Sequence, residues 1–198
     1  VSLAEPGDEP AVVIAVREAV AVGEPTLAVA DPDAVAGLSV VLADAGLDAV
    51  RVVARDGSAL GGLAGGAGPV LVHDPLCPAT PAAFLARALA AARAGGGERP
   101  VVAVRPMTDT VKVMRDGHVT ATVDRAGLRV VASPVVLPPV LAADLVDTGD
   151  VPGLVAALRR RADPELLAAP PLARRVRGRA DLRIVLALRD LEERDARA

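Results

Sequence analysis

Aromatic side chains are almost missing from this chain: Phe84 is the single phenylalanine, and there is no tryptophan or tyrosine. A core without them must be aliphatic, drawn from the Ala, Val and Leu that supply most of the 52% apolar residues. The same lack argues against a single-strand nucleic-acid binder, which stacks bases on aromatic platforms set among basic residues. Lysine is as scarce, with Lys112 alone against twenty-one arginines. One cysteine, Cys77, excludes an intrachain disulfide, and no C-x-x-C pair or histidine cluster offers a metal site. No uncharged apolar run reaches the roughly 18–20 residues that span a bilayer. The opening residues, with Glu5, Pro6, Asp8, Glu9 and Pro10, are the reverse of a basic, apolar signal peptide. A cytoplasmic protein without membrane or nucleic-acid partners is expected, its first residue, Val1, marking a trimmed or non-standard start.

What is present is 198 residues, enough for one domain with a real core. Net charge is −3, unevenly spread: residues 1–99 carry 12 acids and 6 arginines, residues 100–198 carry 13 acids against 15 arginines and the lysine. The second half is the anion-binding half. Its basic cluster, Arg174, Arg175, Arg177, Arg179 and Arg183, suits either a phosphate ester or a solvated face paired with Glu192, Glu193 and Asp195.

The pattern centres on Val70-Leu71-Val72-His73-Asp74, an apolar strand ending in an acid. In an open α/β sheet the ligand crevice lies outside the carboxyl ends of parallel strands, so Asp74 is a candidate site residue; it could equally cap the turn through Pro75 and Pro78. His73 reads as a packed strand-end histidine. Further buried strands are expected at 11–16, 26–30, 49–53 and 101–104, with helices over 33–45, opened by Asp31-Pro32 and closed by Gly46, and over 81–94, ended by Gly95-Gly96-Gly97. The glycine-rich run 61–68 enters a strand, not a helix, and no lysine follows it, so it reads as a surface connection and not a phosphate loop. Residues 110–114 and 119–123 alternate around Asp116-Gly117, a hairpin signature. A short strand at 128–131, helices over 138–147 and 151–161, a last strand through Val176 and 184–186, and a charged terminal helix complete the expectation. The fold class is a mainly parallel, Rossmann-like α/β sheet flanked by helices, a single domain 1–198 with 105–134 as a projecting β-arm.

These motifs together resemble the 2-C-methyl-D-erythritol 4-phosphate cytidylyltransferases of non-mevalonate isoprenoid synthesis. The family's V-L-V-H-D-A-A-R-P is similar to V-L-V-H-D-P-L-C-P at 70–78. Its arm, P-V-x-D-T-x-K, then T-V-D-R-x-G-L, then T-P-Q, is matched by Pro106 to Lys112, Thr122 to Leu128, and Ser133-Pro134. The resemblance implies cytidylyl transfer from CTP to a sugar-alcohol phosphate in a homodimer paired through the arm. By the same resemblance Asp74 would face CTP and its Mg²⁺, and Asp109, Thr110, Arg125 and Thr148 would hold the methylerythritol phosphate, with Arg125 supplied by the partner. Arg183 falls near the lysine of the family's late G-x-x-x-N-x-K and, with Arg125, is the candidate catalytic cation.

The departures are cationic. Cys77 stands where the family has arginine. The family's first strand opens onto G-x-G-x-R followed by P-K, whereas Val16 here runs into Arg17-Glu18, and the next glycine is Gly23. Between Val53 and Val70 the family's G-G-x-x-R-x-x-S run is reduced to Arg55-Asp56-Gly57-Ser58. One lost oxyanion or cation contact typically costs about 2.7–4 kcal/mol of transition-state stabilisation, so a catalytically impaired member is expected. The alternative is a non-catalytic dimeric relative that binds a phosphorylated ligand or a protein partner.

Overall fold

The computed structural model describes residues 9–55, 68–145, 150–195 and 197. Among the described residues, eight strands fall into three sheets. β1 (Leu27–Ala30) and β2 (Arg51–Ala54) form a parallel pair. β3 (Val70–Val72), β4 (Val101–Pro106), β7 (Arg129–Leu137) and β8 (Glu165–Ala168) form a sheet in the order β3-β7-β4-β8. β5 (Val111–Arg115) and β6 (His118–Val123) make a hairpin.

In the four-stranded sheet β4 and β8 run parallel, and both ladders of β7 are antiparallel. β3, β4 and β8 therefore point the same way and β7 alone opposes them. Alternation along β4 separates its two faces. Val102 and Val104, with Val135 and Leu137 of β7, pack against Ala142 of α4 (Pro139–Leu145) and Leu154, Val155 and Leu158 of α5 (Val151–Leu158). Val101 and Ala103 face the other way, toward Leu89 and Phe84 of α3 (Ala82–Ala94). The α/β class with helices on both faces is the one expected from the sequence, although the strand ending at Asp74 has an antiparallel neighbour.

Two apolar runs expected as strands are helices. Residues 11–16 lie in α1 (Ala11–Val20), which starts where Val13 and Ile14 donate to the Pro10 carbonyl. It is wedged between two clusters: Ala11 packs with Leu172, Val176 and Val185, while Val13 and Val16 pack with Ala28, Leu42 and Val50. Burial on opposite sides makes the run almost continuously apolar, and such a run does not distinguish strand from helix by period. Residues 184–186 lie in α6 (Arg179–Asp195), where Leu182 and Val185 are buried and Ile184 is not. The strand actually present in that region is β8, four residues between Pro164 and Pro170, held by its ladder to β4 and not by β propensity.

Residues 32–34 form a 3-10 turn into α2 (Val35–Asp44), with Pro32 in the first turn but no cap from the Asp31 side chain. Gly46 and Gly96-Gly97 close α2 and α3 at positive φ. β7 runs to nine residues because Pro134, which on its own argues against a strand, sits in an irregularity: β4 advances from Val102 to Val104 while β7 runs from Val135 back to Val131. The Ser133-Pro134 peptide there is cis. The run 61–67 and the residues after Arg55 that thinly match the family lie outside the described residues. Among those described, no strand leads through a glycine-rich loop into a helix, and no helix is long and apolar enough to cross a membrane.

Candidate functional site

The irregularity in β7 turns Ser133 toward the end of β3. Its fully buried hydroxyl accepts from the Asp74 backbone N–H at 2.8 Å and lies 2.7 Å from His73 Nδ1. A hydroxyl that accepts from one group donates to the other, so Nδ1 is assigned as acceptor and the proton to Nε2. Nε2 is buried and has no partner among the described residues. Burial holds the imidazole down at about 4, against a smaller opposing pull from the Asp74 carboxylate, so it is neutral at pH 7.

Asp74 is 7% exposed and both its oxygens are engaged. Oδ1 accepts from Leu76 N at 2.9 Å, the Asx turn that its capping role required. Oδ2 accepts from Arg175 Nε at 2.9 Å. Arg175 comes from the loop between β8 and α6, which is tied down where Val176 N donates to Leu76 O at 2.7 Å. The residue drawn from the basic cluster to Asp74 is therefore Arg175; Arg183 is exposed on α6. Of the acids of α6, Glu193 pairs with Arg189 and Arg197.

Cys77 lies under this pair, 1% exposed, with its N–H donating to the Asp74 carbonyl at 2.8 Å. Burial first, then the neighbouring carboxylate, push its thiol up to about 12; Arg175, a Ser133 backbone hydrogen bond and Arg105 pull more weakly the other way. It is a packed, protonated thiol with no nucleophilic role.

A second group sits at the base of the hairpin. Arg125 Nη1 donates to the Thr108 carbonyl, so the guanidinium lies beside the segment that carries Asp109 and Thr110. Asp124 Oδ1 accepts from Ala126 N at 3.0 Å, and Met107 N donates to Leu128 O, closing the connection to β7. Asp109, Thr110 and Arg125 are all exposed. Thr148 lies outside the described residues.

A resident magnesium ion does not fit the described residues. Among the described residues, no group of three or more His, Cys, Asp or Glu converges on a point, and the buried carboxylate of Asp74 already holds a guanidinium and an amide. Sequence reasoning passed over Arg105, at the carboxyl end of β4, and the Ser133 hydroxyl. The first was signalled by an arginine directly after four buried strand residues, the second by its pairing with Pro134 in a motif otherwise read only for its match.

A profile of the family described as IspD, 2-C-methyl-D-erythritol 4-phosphate cytidylyltransferase, matches residues 34–157, more than half of the chain. The chain is 40% identical over 156 residues to the 2-C-methyl-D-erythritol 4-phosphate cytidylyltransferase of Nocardia farcinica, covering 72% of this chain and 65% of that protein, so it spans just under two thirds of that relative's length. Two solved structures share the fold. One is a 4-diphosphocytidyl-2C-methyl-D-erythritol synthase, with a TM-score of 0.75 at 22% identity, covering 94% of this chain and 93% of that one. The other is the corresponding synthase of Anaerococcus prevotii, with a TM-score of 0.69 at 17% identity, covering 94% and 91%. With the strand-end acid, the hairpin and the connection behind it in matching order, this chain belongs to the 2-C-methyl-D-erythritol 4-phosphate cytidylyltransferase (IspD) family.

Proposed function

We propose that this chain is a cytidylyltransferase-like protein of non-mevalonate isoprenoid synthesis in which transfer is impaired. In the full reaction a phosphate oxygen of methylerythritol phosphate attacks the α-phosphorus of CTP, and the bond to the departing pyrophosphate breaks. The protein's share of such a reaction is positioning and neutralisation of charge. Asp109, Thr110 and Arg125 would hold the acceptor, the arginine and hydroxyl on its phosphate and the carboxylate on a hydroxyl, with Thr148 as a further contact. Arg183 would be the late cation. Magnesium would arrive already held by the triphosphate, as it commonly does.

The observation that carries impairment is the Asp74–Arg175 pair. An acid meant to face a nucleotide and its metal is buried, with both oxygens occupied. Lys112, the only lysine, sits on the hairpin. A homodimer paired through the arm is supported by the hairpin's exposed apolar side chains, Val113, Met114 and Val119. A cytoplasmic setting is supported by Cys77, a free and buried thiol.

The test is calorimetric titration with CTP and Mg²⁺, then with methylerythritol phosphate, alongside a pyrophosphate-release assay. Weak CTP binding with little or no release is expected. Sustained release would refute impairment. Binding of the phosphate ester without any CTP binding would favour the second reading, a non-catalytic relative, which the occupied carboxylate also suits.

A further inference from the structure

Arg105 occupies an unusual place. Val101, Ala103 and Arg105 share one face of β4, and Ala103 on that face packs with Ala132, Phe84 and Ala173. Ala173 belongs to the loop that delivers Arg175, so Arg105 continues along the face which that loop covers, toward the carboxyl end of the strand. β3 and β4 flank β7 and point the same way, so Asp74 and Arg105 lie at the same edge of the sheet. Val72 of β3 and Val102 of β4 both face Val135 of β7, so Asp74 stands two residues and Arg105 three residues further along toward that edge.

Neither guanidinium is used up. Arg105 is half-buried and has no hydrogen-bond or ion-pair partner among the described residues. Arg175 spends its Nε–H on Asp74, while its side chain remains 40% exposed and its Nη groups have no partner among the described residues. A guanidinium carries five N–H donors in a rigid fork, and one is taken here. Asp74 thus fixes Arg175 in place, with the remaining donors of the fork turned from that bond. Cys77, whose N–H donates to the Asp74 carbonyl, stands where the resembling motif carries arginine.

We propose that Arg105 and Arg175 form a metal-independent binding site for a phosphate dianion, inorganic or esterified, at the carboxyl edge of β3 and β4. The two guanidinium groups supply from neighbouring elements the positive charge that Cys77 does not, and Asp74 acts as a positioning residue for Arg175. This rests on Asp74 marking the phosphate-binding end of the sheet, as in the function proposed above, but not on any transfer of a cytidylyl group.

The experiment is calorimetric titration of the whole chain with inorganic phosphate and with inorganic pyrophosphate, each in EDTA and in excess Mg²⁺. Phosphate binding is expected to persist in EDTA and to weaken about tenfold or more in Arg105→Gln, since a charge-assisted contact to the anion is lost. Arg160→Gln, on the surface after α5, is expected to leave it unchanged. Because Arg175→Gln alone strands a buried carboxylate, the paired variant Asp74→Asn with Arg175→Gln is used, its fold checked by melting; it too is expected to lose binding. Binding that requires Mg²⁺, that survives Arg105→Gln, or that is absent from the parent chain overturns the site. Pyrophosphate release from CTP and methylerythritol phosphate is assayed on the same variants. Release with phosphate binding indifferent to Arg105 sinks this site and leaves transfer standing, whereas EDTA-resistant binding without release does the reverse.

Discussion

Acid should weaken this protein through His73 before it acts broadly on the carboxylates. The imidazole is neutral in the fold because burial holds it at about 4, against 6.5 in an open chain. Above pH 6.5 folded and unfolded chains both carry it neutral, and its contribution to stability is fully present. Between pH 6.5 and about 4 the unfolded chain binds a proton that the folded chain refuses, so stability falls with pH across that window and levels off below it. At 1.36 kcal/mol per unit, the interval from pH 7.5 to 4.5 removes about 2–3 kcal/mol, a large part of what holds a domain of this size. The assay is urea unfolding of the parent and of His73→Asn at both pH values; asparagine can keep the bond to Ser133 Oγ and does not titrate. The variant should lose some stability at pH 7.5 and show about 2–3 kcal/mol less acid sensitivity than the parent, the carboxylates common to both cancelling in the difference. Equal losses in the two proteins, within about 0.5 kcal/mol, would refute a neutral buried imidazole as the source.

Cys77, with its thiol pushed up to about 12 and almost no exposed surface, should resist iodoacetamide at pH 8 in the folded protein and react fully in urea, read by mass spectrometry. Leu137→Ala should cost about 2–5 kcal/mol in urea unfolding, because the side chain is fully buried among Val102, Val135, Leu154 and Leu158. Gly117→Val should destabilise the hairpin by about 1 kcal/mol or more, since residue 117 has φ +78° and follows Asp116 at φ +50° in a turn that needs both positive. Amide exchange should quicken in β5 and β6 while β4 stays protected.

Much of this architecture was written in local signals. The hairpin followed from Asp116-Gly117 between alternating strands, and α3 from Phe84, Leu85 and Leu89 on one side, all buried, ahead of three glycines. What misled were segments whose state is set by distant contacts. Residues 11–16 are apolar because α1 is packed on two sides, and β8 is a strand because β4 offers an edge, although Glu165, Leu166, Leu167 and Ala168 favour helix by propensity. β7 was legible only in part, since Pro134 interrupts a run whose continuation depends on the irregularity facing β4.

The same division governs the site. Asp74 could be found because a short apolar strand ending in an acid is a local pattern, and its bond to Leu76 N is local as well. Its partner is 101 residues away, and nothing near Arg175 distinguishes it from the four other arginines of its cluster. Charge at a site is set through space, so a missing cation at a motif position does not establish a missing cation in the crevice. Here Cys77 occupies the motif's arginine position while the Arg175 guanidinium reaches the neighbouring Asp74 from a distant loop. The helical state of residues 11–20 has a further consequence. Arg17 pairs with Glu9, and Glu18 accepts from Ala82 N at 2.7 Å at the start of α3, so this segment's charged groups serve structural contacts. It is not a strand opening onto a phosphate loop. The proposed impairment therefore rests on the occupied carboxylate of Asp74, and the chemistry proposed for this edge of the sheet is capture of an anion by Arg105 and by Arg175, which Asp74 holds in place.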